Sequence, residues 1–249
     1  MEGYQRFLTK DSKPFDPLVL AKKTEEIVIK DDARKYTAFY YTGVYGGIST
    51  GYTVGCCLRC IFCWASPSRD FPEKYGFSVS PEEAYDRLMT NAIKRKVKRV
   101  RISGGEPTLG KNHLVSLLEH LRKRDMLFIL ETNGILLGAD DSYVDELRRF
   151  RNIHIRLCIK AGTEEGFESR TGAKGKFYKL PFIAVKRLIR NKLDFHVAAM
   201  TDERIMPKEE RIKMLEELSK VGYDNWLEEE ICDPYDMSIK RLQSVGKQI

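Results

Sequence analysis

The sequence lacks long apolar runs. No stretch approaches the roughly 18 apolar residues that a transmembrane helix requires, and residues 1–13 contain no apolar core of the signal-peptide type. Histidine is also scarce, with four residues in the chain, and their positions form neither a zinc-binding pair nor a catalytic triad. We therefore expect a cytoplasmic protein with no membrane partner.

Cysteine is rare outside one short stretch. Four of the six cysteines lie within eight positions, namely Cys56, Cys57, Cys60 and Cys63. A disulfide framework in a small secreted domain would spread its cysteines along the chain, so this crowding favours a metal site in a reducing compartment. Cys158 and Cys232 stand alone, and we expect each to be a small buried side chain.

Neither sign of charge is scarce. Lys and Arg number 43 and Asp and Glu number 36, which gives a net charge of +7 and permits attraction to nucleic acid or another anionic partner. Glutamine is limited to Gln5, Gln243 and Gln248. Many charges of both signs with few glutamines are also typical of proteins from hot environments, because ion-pair networks contribute more to stability at high temperature. The apolar fraction, 42%, suffices for the core of one large α/β domain.

Strands and helices alternate along most of the chain. Aromatic and β-branched residues predict one or two strands within 36–54, and Ser80 begins a helix because Pro81 and Glu83 complete its capping pattern. Further strands are predicted at 100–102, 127–130, 153–159, 195–200 and 226–231, with helices between them. Because parallel strands need such crossovers, the six units predict an open, partial (β/α)6 TIM-type barrel of parallel strands.

The barrel is predicted to span residues 41–235. Residues 1–40 are polar and contain two prolines, so they predict an N-terminal extension, an arm that wraps the barrel, with one short strand at 26–29. Residues 236–249 are predicted to form a C-terminal tail outside the barrel. We expect the functional groups to lie between these two ends.

Three short motifs come directly after predicted strands. They are Gly104-Gly105-Glu106-Pro107, Thr132-Asn133-Gly134 and Cys158-Ile159-Lys160. In parallel α/β folds the functional groups lie at the carboxyl ends of the strands. Adjacent glycines let the backbone approach a ligand closely, and Pro107 favours an extended conformation at Glu106. The cysteines follow the first strand, so all four segments are expected at one end of the barrel.

Cys56, Cys60 and Cys63 form a CxxxCxxC pattern within one loop. Three thiolates can bind three irons of a [4Fe-4S] cluster and leave the fourth iron open, because full protein ligation takes four. A structural zinc site with Cys57 as fourth ligand is an alternative, although the second ligand pair of a zinc ribbon is missing. A ferredoxin-type cluster is another, and it would need a cysteine where Pro67 stands.

The cysteine spacing, with Phe62 before the last cysteine and the Gly-Gly-Glu-Pro motif after the next strand, resembles the radical S-adenosylmethionine (radical SAM) superfamily. The compact chain resembles its activating-enzyme-like subgroup. The resemblance implies a [4Fe-4S] cluster on the three cysteines, S-adenosylmethionine (SAM) on the open iron, and a bond from Lys160 to the methionyl carboxylate. The cofactor-binding residues that it implies are Phe62, Gly104, Gly105, Glu106, Thr132, Asn133 and Lys160.

The same resemblance implies the reaction. The cluster would pass one electron to SAM, and the resulting 5'-deoxyadenosyl radical would take a hydrogen atom from a substrate. Glycyl-radical activation of a partner protein is favoured, and modification of a tRNA base or a deazaguanine-type nucleoside is the alternative. A non-catalytic zinc or iron-sulfur protein is an alternative of another class. The expected partners are an electron donor such as ferredoxin or flavodoxin and a protein, RNA or nucleoside substrate.

Catalytic roles are predicted for Lys160 and for His196, which lies on the fifth strand. Since its neighbours are apolar, a buried structural histidine stays open as the alternative for His196. Further candidates for substrate contact are Trp64, Arg69, Tyr75 and Glu229, because they are expected inside or around the mouth of the barrel.

Overall fold

The computed structural model describes residues 3–247, which form one mostly parallel sheet with helices. Residues 1–2 of the predicted extension and 248–249 of the predicted tail lie outside the described residues. The strands are β1 (Ile29–Lys30), β2 (Ala33–Thr42), β3 (Ile48–Thr53), β4 (Phe77–Val79), β5 (Arg99–Gly104), β6 (Leu127–Thr132), β7 (Ile153–Ile159), β8 (Phe195–Met200) and β9 (Leu227–Glu230). The helices are α1 (Pro17–Val28), α2 (Pro81–Lys94), α3 (Lys111–Leu121), α4 (Ile135–Ala139), α5 (Asp141–Leu147), α6 (Glu164–Thr171), α7 (Leu180–Arg190), α8 (Lys208–Lys220) and α9 (Asp236–Ser244). Within residues 3–247, no helix is long and apolar enough to cross a membrane.

Six strands, β3 and β5 to β9, lie side by side in chain order and are all parallel. At one edge β3 pairs antiparallel with β2, which in turn pairs with β1 and β4. The path of paired strands runs from β1 to β9 among the described residues, so the sheet is open. The predicted partial (β/α)6 TIM-type barrel of parallel strands is confirmed.

A large core lies between the sheet and the helices. Alternate residues of the parallel strands belong to it, such as Ile155 and Leu157 of β7, together with the apolar faces of the surrounding helices. Because successive side chains of a strand point to opposite faces, the intervening His154, Arg156 and Cys158 point away from this core. We call the face of the six parallel strands opposite to this core the inner face.

A smaller core covers the carboxyl ends of the strands. It includes Cys57, Cys60 and Phe62 from the loop after β3, Phe167 of α6 and Leu242 of α9. Helix α9 therefore packs over the cysteines, although it lies within the predicted tail. The predicted domain boundaries at residues 40 and 235 stay predictions.

The short strand predicted at 26–29 is wrong. Residues 17–28 form helix α1, and of the predicted stretch Ile29 alone is in a strand. Asp16 caps the helix, because its carboxylate accepts hydrogen bonds from Leu18 N and Val19 N at 2.9 and 3.2 Å. This cap and the proline in the first turn outweigh the strand preference of the β-branched residues near the end of the helix.

Candidate active site at the carboxyl ends of the strands

The cysteine loop, residues 54–66, follows β3 and lies at the carboxyl end of the barrel. Two backbone hydrogen bonds tie it to the end of α6, from Arg59 N to Thr171 O at 3.0 Å and from Ile61 N to Arg170 O at 2.9 Å. Its apolar residues are buried in the smaller core. The loop is therefore fixed against the barrel on both sides of Cys60.

The neighbouring thiols Cys56 and Cys57 differ in their chemistry. A hydrogen bond from Cys57 lowers the pKa of Cys56 to about 7, and the same interaction, together with burial, raises the pKa of Cys57. The thiolate is the form that binds metal, so Cys56 is the better ligand of the two. Burial raises the pKa of Cys60 to about 12, and metal coordination would deprotonate it.

The donor set of the loop fits an iron-sulfur cluster. Among residues 3–247, no three Cys, His, Asp or Glu side chains surround one point closely enough to share a single metal ion. A [4Fe-4S] cluster does not require this, because each thiolate binds a different iron. The three cysteines of the CxxxCxxC pattern are supplied by one anchored loop, and Cys60 and Cys63 are joined by a 3.2 Å backbone hydrogen bond.

The Gly-Gly-Glu-Pro motif lies against the start of the cysteine loop. Gly105 N donates to Thr53 O at 3.0 Å, and Glu106 N donates to Gly55 O at 2.8 Å. A Cβ atom at Gly105 would lie 2.1 Å from Gly55 O, so a residue with a side chain cannot occupy this position without moving the loop. Gly104 has a φ of +91°, which also favours glycine.

The Glu106 carboxylate joins two of the predicted motifs. Its Oε1 accepts hydrogen bonds from Thr108 N, Thr108 Oγ1 and Thr132 Oγ1 at 3.1, 2.7 and 2.6 Å. Its Oε2 accepts one from Asn133 N at 2.9 Å. The side chain is therefore occupied within the protein, and a contact with a ligand at this motif falls to the backbone.

Asn133 connects the Thr-Asn-Gly motif to the cysteines. Its Nδ2 lies 3.7 Å from Cys56 Sγ and 3.4 Å from Cys57 Sγ, and its Oδ1 accepts a hydrogen bond from Ile135 N at 3.0 Å. The structure thus brings the cysteine loop, the Gly-Gly-Glu-Pro motif and the Thr-Asn-Gly motif into one hydrogen-bonded unit.

Lys160 lies directly after β7, beside this unit. Its Nζ is 5.9 Å from the centre of the Phe62 ring and 3.9 Å from Glu230 Oε2. Burial alone would lower the pKa of Lys160, but Cys158, Glu230 and Cys60 together favour the charged form and raise it. Lys160 is therefore a cation next to the cysteine loop.

Charged side chains from four strands meet on the inner face below the motifs. Arg101 Nη1 and Ser103 Oγ of β5 each contact the Glu131 carboxylate of β6 at 2.7 Å. Arg156 of β7 donates to Glu228 and Glu230 of β9 at 2.8 and 2.7 Å. The hydrogen bond from Arg156 is the main reason why the pKa of Glu228 falls to about 2.

These inner-face charges are not among the predicted site residues, because the predicted motifs all lie at strand ends. The signal was present as alternation: polar side chains come at every second position of the β7 sequence, at His154, Arg156 and Cys158, between apolar residues. In a strand whose apolar side chains pack against helices, such alternation indicates that the opposite, inner face of the sheet is polar.

His196 lies near the start of β8, remote from the strand end. Its Nδ1 lies 2.7 Å from His154 Nε2, and its Nε2 lies 2.8 Å from Glu228 Oε2. The ring also stacks on Trp226 at 4.7 Å between centres, and burial is the main cause that lowers its pKa. Both nitrogens are occupied by protein groups, and the predicted catalytic role of His196 stays a prediction.

A cavity of about 230 Å³ opens between β2, β3 and the cysteine loop. Its lining includes Tyr40, Tyr52, Trp64 and Gly104. Tyr40 stacks on Tyr52 at 4.6 Å between ring centres, and Trp64 meets Tyr52 edge-on at 6.3 Å. Trp64, a predicted substrate contact, is therefore next to both the cysteines and this cavity.

The other predicted substrate contacts lie elsewhere. Arg69 is buried and donates to Cys60 O at 2.8 Å, so it holds the loop. Glu229 pairs with Arg211 of α8 on the face of the sheet that the helices cover. Successive side chains of β9 point to opposite faces, so Glu228 and Glu230 point to the inner face and Glu229 does not. Tyr75 is 39% exposed and lies just before β4, outside the unit formed by the motifs.

The chain matches a family model. The model described as the radical SAM superfamily covers residues 51–228, well over half of the chain. This range begins within β3 and ends within β9, so it includes β5 to β8, part of β3 and β9, and the cysteine loop.

Curated relatives match part of the chain. A probable GTP 3',8-cyclase of Thermoplasma volcanium is 28% identical over 122 residues, which are 49% of this chain and 35% of the relative. The 7-carboxy-7-deazaguanine synthase of Methanospirillum hungatei is 28% identical over 137 residues, 49% of this chain and 55% of the relative. This chain therefore spans about a third of the length of the first relative and about half of the length of the second.

Solved structures share the fold. Streptococcus suis SuiB bound to S-adenosylmethionine aligns with a TM-score of 0.58 and 18% identity, over 79% of this chain and 42% of SuiB. At this identity the likeness concerns the fold, and SuiB presents the same barrel with SAM bound.

Proposed function

The chain belongs to the radical SAM superfamily, and from this premise we propose that it takes a hydrogen atom from a guanine-type nucleoside or nucleotide held on the inner face. It is an enzyme whose cofactors are a [4Fe-4S] cluster and SAM. When bound, these cofactors would supply one-electron cleavage of the C5'–S bond of SAM: an electron from a ferredoxin- or flavodoxin-type donor would release methionine, and the 5'-deoxyadenosyl group would take the substrate hydrogen to become 5'-deoxyadenosine.

The residues at the strand ends would hold the cofactors. Cys56, Cys60 and Cys63 would hold the cluster, with Cys57 packed against Asn133 instead of binding iron. The backbone of Gly104 and Gly105 would bind the SAM amino group, since the Glu106 side chain is occupied within the protein. Thr132, Asn133 and Phe62 would line the cofactor, and Lys160 would pair with its carboxylate because its charge is favoured there.

The observation that carries the substrate class is the set of paired charges on the inner face. Arg101 and Arg156 present guanidinium groups, and Glu131, Glu228 and Glu230 present carboxylates, all below the strand ends. Guanine carries O6 and N7 acceptors that suit arginine and an N2 amine that suits a carboxylate. A nucleotide would also bring phosphate groups that pair with the arginines.

Two further observations support this substrate class. Tyr40, Tyr52 and Trp64 offer aromatic faces beside the cysteine loop, and nucleobases stack on such faces. The names of the two curated relatives above concern GTP and a deazaguanine. Glycyl-radical activation of a protein and tRNA modification stay predictions that the same experiment addresses.

The test is anaerobic reconstitution with iron and sulfide, followed by incubation with SAM, a reductant and uniformly deuterated GTP or guanosine, and measurement of 5'-deoxyadenosine. We expect deuterium in the 5'-deoxyadenosine. Arg156→Gln is expected to reduce this transfer about tenfold, because it removes an inner-face cation. The matched control is Arg211→Gln, which breaks the ion pair of Glu229 on the opposite face of β9, the strand whose Glu228 and Glu230 pair with Arg156.

The outcomes separate the hypotheses. Absence of 5'-deoxyadenosine from fully iron-loaded protein would contradict the proposed reaction. Formation of 5'-deoxyadenosine that carries no deuterium from either GTP or guanosine would contradict the substrate class. Deuterium supplied instead by a glycine-labelled protein would favour glycyl-radical activation, and transfer from labelled tRNA would favour base modification.

A further inference from the structure

Each of the three cysteines of the CxxxCxxC pattern has its backbone carbonyl bound by a different arginine. The pairs are Arg59 Nη1 to Cys56 O at 2.7 Å, Arg69 Nη1 to Cys60 O at 2.8 Å and Arg241 Nη1 to Cys63 O at 2.5 Å. Arg59 is in the loop, Arg69 follows it, and Arg241 comes from α9. None of the three belongs to the strand-end motifs.

Asp70 joins these arginines. Its Oδ1 accepts from Arg69 Nε and Nη2 at 2.9 and 2.7 Å, and its Oδ2 accepts from Arg241 Nη2 at 2.6 Å. Arg59 Nε lies 3.9 Å from Oδ1. All four side chains are buried, with at most 4% of any residue exposed. We call Arg59, Arg69, Asp70 and Arg241 the arginine clamp.

The clamp carries excess positive charge. Three guanidinium groups face one carboxylate, and arginine does not lose its proton in proteins. A buried charge without a counter-charge is strongly unfavourable, so the excess calls for a nearby anion. Within residues 3–247, Arg59 Nη2 and Arg241 Nε also have no hydrogen-bond partner.

The cysteine loop is where that anion would be. A [4Fe-4S] cluster held by three thiolates is negatively charged, and reduction adds one more negative charge. The clamp lies at short range from the loop, because its guanidinium groups are 2.5 to 2.8 Å from the carbonyl oxygens of the three cysteines.

We propose that the arginine clamp positions the three ligand cysteines and favours the reduced state of the cluster, an inference that rests on the ligand set proposed above. The guanidinium groups fix the carbonyls of the ligand residues, and their excess charge stabilises the electron that the cluster receives. All four clamp residues are positioning residues, since they act through the cysteines.

The test is a potentiometric titration of the reconstituted cluster, followed by electron paramagnetic resonance. Arg241→Gln removes a positive charge and is expected to make reduction at least tenfold less favourable, a fall of about 59 mV for one electron. Asp70→Asn removes a negative charge and is expected to shift the potential upward. Arg241→Lys keeps the charge and is expected to stay within about twofold of the wild type in the reduction equilibrium.

The control is Arg187→Gln. Like the clamp arginines, Arg187 binds both a backbone carbonyl and a carboxylate: it donates to Leu137 O at 2.7 Å and pairs with Asp141. It does not contact the cysteine loop. Unchanged potentials in Arg241→Gln and Asp70→Asn, or shifts in the same direction, would overturn the proposal. If a clamp variant binds no iron, unchanged urea unfolding of its apoprotein supports positioning, and a parallel loss of stability overturns it. Wild-type protein that binds no iron would instead contradict the ligand set.

Discussion

At the scale of single residues, Cys57 and Cys60 are both buried thiols of one loop, but their surroundings suit different roles. Cys57 Sγ contacts the Asn133 amide at 3.4 Å, and its hydrogen bond to Cys56 keeps it protonated. Cys60 has its carbonyl fixed by Arg69. This difference supports the proposed roles, in which Cys60 binds iron and Cys57 packs beside it.

We predict that Cys60→Ala reduces bound iron and 5'-deoxyadenosine formation at least about tenfold, because a cluster with two thiolates is poorly held. Cys57→Ala is expected to leave most of both, since it removes a neighbour instead of a ligand. Iron and labile sulfide are measured after anaerobic reconstitution. Loss of iron in Cys57→Ala with retention in Cys60→Ala would show that the ligand register is shifted.

Some site residues could be predicted from the sequence, and others could not. The cysteine pattern and the motifs after β5, β6 and β7 are local features, so their position at strand ends followed from hydrophobic periodicity. Arg34 of β2 and Arg241 of α9 could not be found in this way. Arg34 reaches the Gly-Gly-Glu-Pro motif across 72 residues and Arg241 reaches the cysteine loop across 178 residues, and in the sequence both look like ordinary surface charges.

At the scale of elements, β2 supports the Gly-Gly-Glu-Pro motif from outside the predicted barrel core. Arg34 of β2 is buried and donates to Glu106 O and Pro107 O, both at 2.7 Å, and to Leu109 O. One guanidinium group thus satisfies three carbonyls of the turn after β5. The N-terminal extension therefore takes part in building the site.

We predict that Arg34→Met weakens SAM binding about tenfold and lowers the free energy of unfolding by about 3 kcal/mol, because three buried carbonyls lose their donor. Equilibrium dialysis and urea unfolding measure the two effects. Lys35→Met is the matched control, since Lys35 Nζ donates to Pro72 O and Glu73 O instead. Equal loss of SAM binding in both variants would contradict a specific role of Arg34.

The elements themselves were predictable to different degrees. The limits of β7 and β8 match the predicted 153–159 and 195–200, because β7 alternates apolar and polar residues and β8 is a short, mostly apolar run bounded by polar turns. Helix α1 was missed, since its buried face of Leu20, Ala21, Thr24 and Val28 is interrupted by charged residues and ends in a β-branched pair.

At the scale of the whole molecule, His113 of α3 links the helix layer to the antiparallel extension. Its Nε2 lies 2.9 Å from Tyr36 Oη of β2, and its Nδ1 lies 2.7 Å from Asp32 O. Burial is the main cause that lowers the pKa of His113 to about 4. The folded protein therefore keeps this histidine neutral.

We predict that the apoprotein loses stability as the pH falls from about 6.5 to about 4. In this window the unfolded chain binds the His113 proton and the folded chain does not, so the loss reaches on the order of 3 kcal/mol. Above pH 6.5 His113 contributes no pH dependence. Urea unfolding at pH 7 and pH 5 measures the effect, and His113→Gln is expected to reduce the slope. An unchanged slope in that variant would contradict the assignment.

Helix α9 has a consequence for the order of events during synthesis. Arg241 follows Cys63 by 178 residues, so at a translation rate of about 5–20 residues per second the ribosome adds it roughly 10 to 35 seconds later. During that interval the nascent chain carries its four clustered thiols without the helix that covers them. We expect iron delivery to succeed after α9 has docked. Until then oxygen can oxidise the uncovered thiols of the growing chain, and this hazard is distinct from damage to the cluster of the finished enzyme.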